Sequence, residues 1–118
     1  MLRAIKFALA SIRLEAILRR QEGILSFWNL QVRRSIKSGP KGPTALVAEI
    51  CREDGEALAS LEVDVSLLPM FVVRGQIPEA DCLWSVYVGP SCVEAAASMY
   101  TVLEMADKHA RPFMARIP

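Results

Sequence analysis

Between Leu2 and Arg20 apolar residues recur three and four positions apart, in two series. Leu2, Ile5, Leu9, Ile12 and Ala16 form one stripe. Phe7, Leu14 and Leu18 form a second on another side, with Lys6, Arg13 and Arg20 between them. This is the period of an α-helix. A helix with two apolar stripes can bury one on its own sheet and offer the other outward, and the stripe of Phe7, Leu14 and Leu18 is assigned here to a partner. Glu15 and Arg19, at i,i+4 in the favoured order, support the helix, and Gly23 is expected to end it.

From Trp28 to Lys37 the period changes to two. Trp28, Leu30, Val32 and Ile36 are apolar, Arg34 interrupts them, and Asn29, Gln31, Arg33, Ser35 and Lys37 are all polar. That alternation predicts a half-buried strand with a basic outer face. The segment from Ser38 to Pro43, rich in Gly and Pro, reads as a loop. Asp54-Gly55 is the dipeptide preferred for a two-residue type I′ hairpin. With Glu53 facing Glu56, Leu46 opposes Val63, Ala48 opposes Leu61 and Ile50 opposes Ala59 on an apolar face. Glu49 with Ser60, Val47 with Glu62 and Ala45 with Asp64 make the opposite, mostly polar face. The β-rich runs Met70 to Ile77 and Cys82 to Val88, separated by Pro78 to Asp81, predict a second hairpin.

Ser91 stands three residues before Glu94, the capping-box spacing of a helix start. That helix is expected to run to about His109 and stop before Pro112. Val93, Ala96, Ala97, Tyr100, Leu103 and Ala106 or Ala110 are read as its inner face. The order helix, five strands, helix predicts an α+β fold, with an N-terminal helix, an antiparallel meander of about five strands and a C-terminal helix packed on the sheet. At 118 residues the chain suits a single domain spanning 1–118.

Charge adds an asymmetry. Residues 1–42 carry nine basic and two acidic side chains, a net of +7, and residues 43–118 carry five basic and eleven acidic, a net of −6. A basic segment of this kind suits nucleic acid, an anionic membrane or an acidic protein, or else the two halves neutralise each other. Arg19, Arg20, Arg33, Arg34, Lys37 and Lys41 are the candidate nucleic-acid contacts. The longest stretch without a charge, Cys82 to Val93, is broken by Gly89-Pro90 and is too short to span a bilayer. The first fourteen residues hold Arg3, Lys6 and Arg13 and no acid, as mitochondrial presequences do, yet the amphipathic pattern continues through Arg20 and is read as one helix. Three scattered cysteines without C-x-x-C spacing suit a reducing, cytoplasmic setting.

Chemistry is sparse. No phosphate-loop or dinucleotide fingerprint is present, one histidine and three cysteines make a poor zinc set, and no cofactor or metal is expected. Cys92, in the first turn of the second helix, is the candidate reactive thiol. His109, seventeen residues further along, stands about 25 Å away at 1.5 Å per residue and cannot serve it as a base. Cys51 and Cys82 are read as buried small hydrophobes. Glu49, Glu62 and Asp64 on one strand face read as a solvated face. Trp28 and Trp84 are read as packing residues, and Phe27 is less constrained. A mean hydropathy of +0.28 is high for so short a chain, so some apolar surface is expected to be shared. The function expected is therefore that of a non-enzymatic interaction or regulatory protein, binding a protein partner or itself as a homo-oligomer through the N-terminal helix. Nucleic-acid binding ranks second and a thiol enzyme at Cys92 third.

Overall fold

The structure, a computed structural model, describes residues 1–76 and 82–114, and the side chains of the last helix as far as residue 106. Helix α1 (Leu2–Arg20) is followed by a short α2 (Glu22–Phe27), five strands β1 (Gln31–Gly39), β2 (Gly42–Cys51), β3 (Ala57–Asp64), β4 (Phe71–Gln76) and β5 (Leu83–Gly89), and helix α3 (Cys92–Met114). The strands form one antiparallel meander in the order β1-β2-β3-β4-β5. Both long helices lie on one face of it, α1 over β2 and β3, α3 chiefly over β4.

Alternation explains the sheet's sidedness. Leu46 pairs with Val63, Ala48 with Leu61 and Ile50 with Ala59, as the sequence predicts, and all six are buried beneath the helices. The turn itself differs from the expected type I′. Gly55 N–H donates to the Arg52 carbonyl at 2.9 Å and Arg52 N–H to the Glu56 carbonyl at 2.9 Å, so the loop has three residues. Among its residues only Gly55 has positive φ (+92°), the arrangement of a type I turn followed by a left-handed glycine. A register shift between Ile50 and Cys51 absorbs the difference, leaving the strand bodies in the predicted register.

The α1 to β1 connection also departs from expectation. Gln21, not Gly23, interrupts the first helix, and Gly23 lies inside α2. The predicted strand from Trp28 therefore starts three residues late. Asn29 adopts φ 55°, its N–H donates to the Ser26 carbonyl at 3.1 Å and Leu30 N–H donates to the Leu25 carbonyl at 2.8 Å. These two bonds close α2 as a Schellman motif, with asparagine in the left-handed position that glycine usually takes. At the other end of β1, Gly39 faces Gly42, so only Pro40 and Lys41 remain of the expected loop.

On α3 the buried positions are Ala95, Ala96, Met99, Val102 and Leu103, whereas Val93, Ala97 and Tyr100 are exposed. The inner face is thus rotated from the predicted one. Gly75 of β4 explains the rotation, because a Cβ there would stand 2.7 Å from Val102 Cγ2. Its absence lets Val102 settle on the sheet. The capping box is half formed. Ser91 Oγ accepts from Glu94 N–H at 3.2 Å, while Ser91 N–H donates to the Tyr87 hydroxyl at 3.0 Å. Tyr87 thus replaces the reciprocal Glu94 contact, and its ring crosses Gly89, where a Cβ would meet Cζ at 2.7 Å. α3 continues through Pro112 to Met114, forgoing the hydrogen bond that proline cannot donate. The turn at Pro78 to Asp81 and the side chain of His109 lie outside the described residues.

Candidate interaction surfaces

Helix α1 uses its two stripes in the opposite sense to that expected. Leu14 and Leu18 are buried, together with Ala10 and Ile17, and Phe7 packs against the same cluster. Leu2, Ile5 and Ile12 stand outward, at 55%, 48% and 64% exposure. The correction concerns Phe7, Leu14 and Leu18, whose contacts are with the chain's own core. Two apolar stripes of similar strength carry no label for inside and outside. Ala10 and Ile17 join Phe7, Leu14 and Leu18 in one continuous sector, and burying that sector on the sheet outweighs the contacts that flank it, Glu15 with Arg34 and Arg13 Nη1 with the Ser66 carbonyl at 3.3 Å.

The six candidate nucleic-acid contacts divide into two sets. Arg34 donates to Glu15 twice, Nε to Oε1 at 2.6 Å and Nη2 to Oε2 at 2.9 Å, a bidentate charge-assisted pair. The hydrogen bond from Arg34 holds the Glu15 carboxyl below its usual range, and the carboxylate raises Arg34 in turn. Arg34 makes the close contact, and the charge of Arg19 also lowers Glu15 without one. Arg33 lies 3.8 Å from Glu49, and Lys37 lies 2.6 Å from Glu62, which also has Arg74 at 3.8 Å. Acids of the second half therefore face bases of the first across β1, β2 and β3, and Arg74 of β4 adds a base from the second half itself. Arg19, Arg20 and Lys41 are exposed, with no ion pair among the described residues.

Between α1, α2 and β1 lies an open groove of about 420 Å³. Leu18, Leu25, Leu30 and Val32 form its floor, and Glu15, Arg19, Glu22 and Arg34 its rim. It exists because neither long helix covers β1, and the Schellman turn carries the chain around its end. Beside it Phe27, 72% exposed, meets Trp28 edge to face with ring centroids 5.0 Å apart.

Cys92 is the first residue of α3 and packs, half-buried, against the core. Cys51 is buried and Cys82 is exposed, correcting the expectation of burial for Cys82. Trp84 is likewise 52% exposed rather than packed inside, because β5 is an edge strand. Among the described residues no cluster of three His, Cys, Asp or Glu side chains is placed to hold a metal, and no helix is long and apolar enough to cross a membrane. Gln21 escaped sequence reasoning. It is 1% exposed, and its Nε2 donates to the Ala96 carbonyl at 2.9 Å, tying the end of α1 to the start of α3. A glutamine beside Arg20 and Glu22 carries no signal of burial until the two helices meet. No known protein family, curated protein or solved structure matches the chain.

Proposed function

We propose that this chain is a non-enzymatic interaction protein whose N-terminal helix is its partner-binding element. The observation that carries the reading is the outward row of Leu2, Ile5 and Ile12 on a helix whose opposite side is locked into the core. Exposed apolar residues aligned along one helix face are a recognition surface of the helix-in-groove kind. Arg3, Arg19 and Arg20 are exposed on the same helix, which favours a partner bearing acidic groups around an apolar groove. The test is a native co-purification, repeated with an Ile5→Asp/Ile12→Asp variant of unchanged circular dichroism. A stoichiometric partner that the wild type retains and the variant loses is the expected result. A partner retained equally by both overturns the reading.

Nucleic-acid binding through Arg19, Arg20, Arg33, Arg34, Lys37 and Lys41 is the weaker reading, because three of these cations already meet carboxylates of the same chain. It predicts binding that weakens steeply with salt, with a slope set by the number of phosphates held.

A further inference from the structure

The two free edges of the sheet are chemically unlike. β1 carries Arg33, Arg34 and Lys37, which pair with Glu49, Glu15 and Glu62 of neighbouring elements, while β5, from Leu83 to Gly89, contains no Asp, Glu, Lys, Arg or His. Cations on an edge strand oppose pairing with a second strand of the same kind. β5 itself holds no such cation, and Trp84, Val86 and Val88 stand 52%, 45% and 56% exposed. We propose that β5 is a dimerisation edge, pairing antiparallel with β5 of a second copy of this chain so that the two meanders join into one continuous sheet.

The register follows from the irregularity in β5. Tyr87 pairs with Val73 and Ser85 with Arg74, so Val86 is an extra residue. Trp84, opposite Gly75, and Tyr87 therefore share the helix-covered face, while Leu83, opposite Gln76, and Val88, opposite Val72, share the open face. A two-fold axis between Ser85 and Val86 sets Trp84 against Tyr87 of the second copy and Leu83 against Val88, each residue meeting one from its own face. An axis through Val86 would instead set Trp84 against Val88, from opposite faces. The favoured register supplies an aromatic cross-strand pair and an aliphatic one, twice each. It is closed, since the same patch serves both copies. Pairing β5 to the basic β1 edge would leave open ends and build a filament. This surface is separate from the outward row on α1, and its failure leaves the reading of α1 untouched.

The test is the mass of the full chain in solution, by light scattering on size exclusion at micromolar concentration. The wild type is expected as a dimer. Val86→Lys places two like charges beside the axis and is expected to weaken the dimer by more than about a hundredfold with unchanged circular dichroism. Val88→Lys, at a more exposed position, serves if Val86→Lys fails to fold. Leu83→Cys/Val88→Cys, made in a Cys82→Ser background, is expected to cross-link two chains covalently on oxidation. A monomeric wild type, a concentration-dependent polymer, or a dimer unaffected by either lysine overturns the proposal. So does a dimer lost only with Ile5→Asp/Ile12→Asp, which would place the assembly on α1.

Discussion

β3 and β1 are strands of similar length, and both alternate, yet one is buried and the other is open. On β3, Leu58, Ala59, Ser60, Leu61 and Val63 are buried. On β1 no residue is, and Ile36 is 53% exposed although it pairs with the buried Leu46. The neighbours explain the contrast. β3 has a strand on each side and parts of both α1 and α3 above it, while β1 has a strand on one side and an open groove above it. Alternation thus reports which way a side chain points, and only a second layer removes it from water. β1 is held by its ladder with β2 and by ion pairs to Glu15, Glu49 and Glu62, which contribute little at exposed sites.

The largest effect separating the two strands is expected for Leu61→Ala, at a position with no exposure. It should destabilise the fold by roughly 2 to 5 kcal/mol, through lost burial and the cavity left behind. Urea denaturation of wild type and variant measures this, and a loss below 1 kcal/mol, roughly that of removing a single methylene, would mean that β3 is not the centre of the core.

Next comes the helical cover itself. Gly75→Ala forces a methyl group against Val102 and should cost about 1 to 3 kcal/mol. Val102→Ala in the same chain should recover part of that loss. A double-mutant cycle without coupling would show that α3 does not sit on Gly75 as described.

A smaller effect belongs to the polar tie that holds β1 against α1. Glu15→Gln should lower stability at neutral pH by roughly 0.2 to 1 kcal/mol, as exposed pairs do. Because Arg34 depresses the folded-state pKa of Glu15, the pair's contribution is complete above the ordinary glutamate value of about 4.3. It declines as pH falls through the lower folded value. Denaturation curves of wild type and Glu15→Gln should therefore differ at pH 7 and converge in acid. A gap that widens in acid would contradict the assignment.

Ile36→Ala should have the least effect, within about 0.5 kcal/mol, as expected of a surface position. A loss matching that of Leu61→Ala would mean that something covers β1 in solution.

How far the chain could be read in advance follows the range of the interactions involved. Turn chemistry, a capping serine and alternation act over a few residues, so the helix-meander-helix order, the pairing of Leu46 with Val63 and the cap at Ser91 were all legible. The α1 stripes were visible as stripes, but their assignment was reversed, because the sector of Phe7, Ala10, Leu14, Ile17 and Leu18 meets the sheet only after the layers assemble. The start of β1 was misplaced for a related reason. Trp28, Asn29 and Leu30 alternate as a strand would, while Asn29 in a left-handed conformation closes α2 instead.

Local order along the chain specifies which residues lie together on each strand and helix, and that residues 1–42 and 43–118 carry opposite net charge. Which of those faces is covered emerges from long-range packing. Burial is a property of a pair of surfaces, and a chain specifies its second surface through contacts between residues far apart in order. Two helices on one face suffice for β2, β3 and β4 and leave β1, the outward row of α1 and the uncharged edge of β5 open.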